Sequence, residues 1–176
     1  ITDYLGNATV IQYDALGRVK QETLPSGTPN VAGPTIPFAY SADLLTTTTN
    51  DPLSGLQVET VDASGRVVSV TDSRGTSTNH YNSLGQLDWS RDYLGILTDY
   101  EYDAVGRKLA EIEHDGDHSR RTSFTYDVLG HLLTKADPTG AVVRYVYDSA
   151  GRMVAVVDPV GNRTTFAYNA ADQEIS

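Results

Sequence analysis

Tyr102-Asp103-Ala104-Val105-Gly106-Arg107 returns with small changes as Tyr126-Asp127-Val128-Leu129-Gly130-His131, and again as Tyr147-Asp148-Ser149-Ala150-Gly151-Arg152. Outward from these, the same hexamer stands at Tyr13-Asp14-Ala15-Leu16-Gly17-Arg18, Tyr81-Asn82-Ser83-Leu84-Gly85-Gln86 and Tyr168-Asn169-Ala170-Ala171-Asp172-Gln173. Two further copies are degraded: Tyr40-Ser41-Ala42-Asp43-Leu44-Leu45, and Val61-Asp62-Ala63-Ser64-Gly65-Arg66, which lacks the tyrosine. A step of about 21 residues separates most neighbours, and a fixed period in this range marks a repeat architecture that takes precedence over any local motif. The repeat-defining positions are Tyr13, Asp14, Gly17, Arg18, Gly65, Arg66, Tyr81, Gly85, Tyr102, Asp103, Gly106, Arg107, Tyr126, Asp127, Gly130, Tyr147, Asp148, Gly151, Arg152 and Tyr168.

Each unit carries a second turn signal of the form Asp-x-x-Gly, as in Asp72-Ser73-Arg74-Gly75, Asp92-Tyr93-Leu94-Gly95, Asp137-Pro138-Thr139-Gly140 and Asp158-Pro159-Val160-Gly161. Aspartate accepts a bond from a backbone N–H two residues on, proline presets φ, and glycine supplies the positive φ that ends the turn. Two turns per unit predict two strands per unit. The arm from the hexamer glycine to the next turn glycine has constant length, as from Gly65 to Gly75, Gly106 to Gly116 and Gly151 to Gly161. A one-residue slip turns a strand inside out, so constant length implies a fixed register.

Alternation supports strands. Two residues before the hexamer's first position stand Ile11, Phe38, Tyr100, Phe124, Tyr145 and Phe166, and four before it Thr9, Ile36, Thr98, Thr122, Val143 and Thr164. Period-2 spacing puts these on one face, and no helical period is sustained. The expected fold is all-β: tandem antiparallel hairpins, about 16 strands in a continuous ribbon that twists and curls. Successive hexamer tyrosines are expected to stack into a ring ladder. Asp14, Asp103, Asp127 and Asp148 are expected to cap turns, with arginines neutralising them between units. Pro-rich residues 25–37 predict an irregular loop, and Thr46-Thr47-Thr48-Thr49 is strand-compatible.

The chain has 176 residues, 39% of them hydrophobic, with 13 basic against 23 acidic residues for a formal charge of -10. That balance disfavours nucleic acid and anionic membranes as partners. Cysteine is absent, which excludes disulfides, a thiol nucleophile and cysteine-ligated zinc. No apolar run reaches the roughly 18 residues of a membrane helix. The chain opens in the turn half of one repeat and stops inside another, so residues 1–176 are expected to form a single repeat segment of a longer array.

The hexamers, their spacing and the Asp-Pro-x-Gly turns resemble the YD repeats of the Rhs family, which includes bacterial polymorphic toxins, the C component of insecticidal toxin complexes, wall-associated proteins and teneurins. The resemblance covers essentially the whole chain. It implies a hollow spiral shell that encloses a toxin or effector polypeptide, in a secreted bacterial protein, extracellular or at the cell surface. A non-enzymatic wall follows, with no catalytic residue, cofactor or metal, whose partners are the remainder of the same protein and an enclosed effector. The alternatives are a cell-surface module recognising glycans or a partner protein, for which Trp89 and the tyrosine rows are the candidate platforms, and self-association through open strand edges.

Other constellations have plainer readings. His114-Asp115-Gly116-Asp117-His118 has metal-ligating residue types but occupies a turn. His80 and His131 read as structural, and no Gly-x-Ser-x-Gly elbow is present. The two Asp-Pro-x-Gly segments lack the upstream proline of the family's self-cleavage segment and read as ordinary turns. Asn7-Ala8-Thr9 and Asn162-Arg163-Thr164 match the glycosylation sequon, relevant only in a eukaryotic secretory host.

Overall fold

A computed structural model describes residues 8–26 and 32–175. The described residues form 15 strands and no helix. The contacts divide into two units. The first, Ile1–His80 with Arg91–Gly95, carries β1 (Val10–Tyr13), β2 (Val19–Pro25), β3 (Ala32–Tyr40), β4 (Thr46–Asp51), β5 (Gly55–Val61), β6 (Val67–Asp72) and the body of β7 (Gly75–Tyr81). The second, Tyr81–Ser90 with Ile96–Ser176, carries the body of β8 (Leu87–Arg91), then β9 (Leu97–Tyr102), β10 (Lys108–Asp115), β11 (His118–Tyr126), β12 (Leu132–Ala136), β13 (Val142–Tyr147), β14 (Met153–Val157) and β15 (Arg163–Thr165).

From β1 to β7, and again from β9 to β15, every strand pairs antiparallel with the next one in sequence. The order follows from the loops, which are too short for anything but hairpins. The eighth hexamer closes with an isolated bridge, Tyr168 to Glu174, in place of a sixteenth strand.

Each full hexamer is one turn type. The Gly106 amide donates to the Asp103 carbonyl at 3.0 Å, and the Asp103 amide donates to the Arg107 carbonyl at 2.9 Å. Gly106 has φ of 89°. This is a type I turn followed by a left-handed residue and a bulge, and the register shifts beside it, where Lys108 faces Tyr102. The same shift recurs at Tyr13 with Val19, Val61 with Val67, Tyr126 with Leu132 and Tyr147 with Met153.

The irregular stretch expected at 25–37 is shorter than its prolines suggest. Pro25 closes β2 and β3 already runs from Ala32; residues 27–31 lie outside the described set. The register shifts between Thr23 and Pro25, leaving Pro34 in a bulge where no ladder amide is needed. Pro37 stands just beyond the β3 to β4 ladder, which starts at Phe38 with Thr49. The Thr46–Thr49 run lies in β4 as expected.

The sheets carry little interior. Among the described residues only Ala110 and Ala155 are fully buried, and no large side chain is. Most strand residues are half-buried, so each unit draws its stability from contacts along the sheet surface rather than from a packed second layer.

Candidate functional site

The recurring feature is the joint between one hexamer and the next. Its first half lies inside a hexamer. Asp103 Oδ1 accepts from the amides of Val105 (3.0 Å) and Arg107 (2.9 Å), while Oδ2 accepts from Arg107 Nε at 2.6 Å. Asp14 with Arg18, Asp62 with Arg66 and Asp148 with Arg152 repeat this pattern. The arginine therefore neutralises its own hexamer's aspartate, four residues back, and only Arg152 among these four also reaches a carboxylate of the next unit, Asp172 Oδ1 at 2.5 Å, as expected. The left-handed glycine folds position six back over position two.

These bonds to the charged form lower the carboxyl pKa values. At Asp14, Asp62 and Asp148 the arginine side chain is the leading cause, with backbone N–H groups adding to it. At Asp103 the Arg107 amide leads. Partial desolvation works the other way at Asp127 as the largest single cause, and the bonds from His131 and the Leu129 amide together outweigh it.

The second half crosses to the next copy. The Tyr126 hydroxyl donates to the Lys108 carbonyl at 2.9 Å, the residue immediately after the preceding hexamer. Tyr40 reaches Val19 at 2.8 Å, Tyr102 reaches Leu87 at 2.9 Å and Tyr168 reaches Met153 at 2.8 Å by the same rule. Over three of these rings lies the arginine at position six of the preceding copy: Arg18 sits 4.3 Å from the Tyr40 centroid, Arg107 5.1 Å from Tyr126 and Arg152 5.0 Å from Tyr168. His131 takes the arginine's place on Tyr147, with centroids 4.7 Å apart and planes at 21°.

The expected tyrosine-on-tyrosine ladder is thus replaced by an alternation in which a cation or imidazole from one copy covers the phenol of the next. A guanidinium is flat and attracted to the ring face, so it fits between turns that bring position six toward position one. The phenol completes the joint with a backbone acceptor, and burial pushes the Tyr102 and Tyr147 hydroxyls up in pKa.

Two copies replace the charges together. Asn82 Nδ2 donates to Gln86 Oε1 at 3.0 Å, and Asn169 Nδ2 to Gln173 Oε1 at 2.9 Å, while both asparagine Oδ1 atoms keep the two amide bonds of the aspartate. The signal was present in the sequence as a coupled change at positions two and six.

The other candidates fall into place around the joint. Asp137 and Asp158 accept from amides two and four residues on, as turn caps do. His114, at the start of the metal-like cluster, instead bonds Asp99 and Ser119 on the flanking strands. Trp89 is half-buried within β8. No group of three or more metal-ligating side chains comes together among the described residues.

Fold and joint together define a β-hairpin repeat protein whose copies interlock through a Tyr-Asp-x-x-Gly-Arg turn. The model of the RHS repeat matches residues 102–142, 126–163 and 147–176. "Double-stranded DNA deaminase toxin A" of Burkholderia cenocepacia is 31% identical over 159 residues, which is 82% of this chain and 10% of that protein. "Probable deoxyribonuclease RhsB" of Dickeya dadantii is 38% identical over 80 residues, 44% of this chain and 5% of that protein. The chain therefore spans a tenth or less of the curated relatives it matches.

Among solved structures, TcdB2-TccC3 without its hypervariable C-terminal region aligns with a TM-score of 0.58 at 14% identity, over 95% of this chain and 11% of that one. The Tc holotoxin pore of Photorhabdus luminescens aligns at 0.51 and 14% identity, over 99% of this chain and 13% of that one. At such identities the likeness concerns fold. The chain belongs to the YD-repeat, or Rhs-repeat, family, and is a structural segment of that kind.

Proposed function

We propose that this segment is part of a wall that encloses or presents a toxin or effector polypeptide, in a secreted bacterial protein. The observation that carries the reading is the joint itself. A copy such as 102–107 spends its aspartate and glycine on closing its own turn, its tyrosine on the copy before and its arginine on the copy after, leaving the repeat positions no chemistry beyond building. Relatives named as a DNA deaminase toxin and a deoxyribonuclease are about ten to twenty times longer than the part matched, as the matched shares of 10% and 5% require. A solved relative is described by the absence of a hypervariable C-terminal region. A constant wall with a variable passenger accounts for both, with the wall's partners being the rest of the repeat protein and the effector.

Confinement makes a direct test. In the protein that carries this chain, the effector resists protease while the wall stands. Replacing Tyr102 and Tyr126 together by alanine exposes it, so digestion accelerates with no change in effector sequence. Equal digestion rates with and without the substitutions would remove enclosure as the function.

A further inference from the structure

Three side chains on adjacent strands of the second unit form a line that the joint does not use. His114 on β10 faces Ser119 on β11 in register, and Asp99 on β9 stands opposite Ile112, one step along the same face. His114 Nδ1 lies 2.9 Å from Ser119 Oγ, and Nε2 lies 2.9 Å from Asp99 Oδ2. A carboxylate only accepts, so Asp99 fixes the ring proton on Nε2 and leaves the Nδ1 lone pair toward the serine hydroxyl. Hydroxyl, imidazole and carboxylate in this order are the parts of an activated nucleophile, recognised by geometry rather than by sequence position.

The network is not needed to close the turn, which the β10 to β11 ladder carries as far as Asp115 with His118. Its chemistry is also within reach of solvent. Ser119 is exposed, and the side chains of His114 and Asp99 are 34% and 44% exposed. The other charged groups on this face are Arg121 and Glu101, bound to each other bidentately at 2.8 and 2.6 Å, while Glu113, Asp115, His118 and Arg120 stand one register step off and face the other way. The Arg121 and Glu101 charges cancel and leave Asp99 as the partner of the ring.

We propose that Ser119 is an acyl-accepting nucleophile, with His114 as its general base and Asp99 as a positioning residue, and that its substrates are small activated carboxylic esters. In the first step Oγ bonds to the ester carbonyl carbon while its proton passes to His114 Nδ1. Collapse of the tetrahedral adduct breaks the carbon–oxygen bond to the leaving alcohol, which takes that proton from Nδ1. The products are acyl-Ser119 and free alcohol. With one activated hydroxyl per chain, the acyl group accumulates in a burst of about one equivalent. This activity is separate from the role in the wall and stands or falls without it.

The experiment treats the chain with a fluorophosphonate and with p-nitrophenyl acetate, and maps modified serines by mass spectrometry. Ser119 is expected to react at least about tenfold faster than Ser123 or Ser149, since a positioned base contributes on the order of 10²–10⁴. Ser119→Ala abolishes the burst, and His114→Gln removes the rate advantage while circular dichroism shows the sheet intact. Asp99→Asn lowers the rate and changes its pH profile, which a purely structural carboxylate does not do. Labelling of Ser119 no faster than of Ser123, or unaffected by His114→Gln, overturns the assignment.

Discussion

The hexamers at 102–107 and 40–45 make the same reversal with different chemistry. In the first, aspartate, glycine and arginine divide the work. In the second, Ser41 and Asp43 improvise: Ser41 Oγ donates to Asp43 Oδ1 at 2.5 Å, Asp43 Oδ1 accepts from the Leu45 amide at 3.1 Å, and Ser41 Oγ accepts from the Thr46 amide at 2.9 Å. Leu44 takes the glycine's left-handed place with φ of 63°, and the turn is one residue longer, with Ser41 bonding Thr46 rather than residue 45. The copy that follows begins with Val61, which has no phenol to reach back. Turn formation is thus separable from joint formation: Asx-type bonds suffice for the first, whereas the second needs the ring of the next copy, covered by a guanidinium or, at Tyr147, by an imidazole.

The largest effect expected from this contrast is at the ring. Tyr126→Ala removes a half-buried aromatic together with its bond to Lys108 and should cost about 2–4 kcal/mol in urea unfolding, while Tyr126→Phe costs about 1 kcal/mol. Val61→Ala, at a first position that carries no phenol, should fall well below the first of these. Similar losses at both positions would mean that the phenol adds nothing beyond area.

Next in size are the glycines. A Cβ on Gly151 would come within 2.9 Å of His131 Nε2, whereas one on Gly130 meets nothing within 4 Å, though both have positive φ. Gly130→Ala should destabilise by about 1 kcal/mol from backbone strain alone, and Gly151→Ala by more, because it also displaces the ring stacked on Tyr147. The reverse substitution sharpens the comparison: Leu44→Gly relieves the left-handed leucine, 53% exposed and losing little packing, and should stabilise by about 0.5–1 kcal/mol.

The smallest effect concerns acid. The aspartates of the charged hexamers are more acidic in the folded chain than in the unfolded one, so the unfolded state takes up protons first as pH falls. Their contribution is complete above the ordinary carboxylate range and is lost as pH drops through their lowered values. The Asn82 and Asn169 copies have no such group. Amide exchange at 103–107 should therefore quicken in acid, relative to a neutral reference, more than at 82–86. Parallel behaviour in the two turns would show that the carboxylate contributes no more than its amide replacement.

Strand count, hairpin order and both turn positions were legible because period and turn chemistry are local properties. The joint was legible in its parts but not in its wiring. Tyrosine repeating at a fixed step suggests rings on rings, yet the bulge beside each glycine re-aims position six, and that displacement depends on backbone register rather than on composition. Pro34 and Pro37 misled for the complementary reason: proline forbids a ladder amide, and whether one is needed depends on where the neighbouring strand stops. Ser119 was hidden because its partners come from two other strands, Asp99 being 20 positions away across an intervening hairpin.

A repeat segment in which only two of the described residues are enclosed has no centre to disturb. Because each copy answers only to the copies beside it, gain or loss of a whole hairpin leaves every other interlock as it was, while one residue added to the arm between Gly65 and Gly75 reverses the sidedness of everything up to the next turn. Length in such a protein is free to drift in whole modules and is policed residue by residue within them.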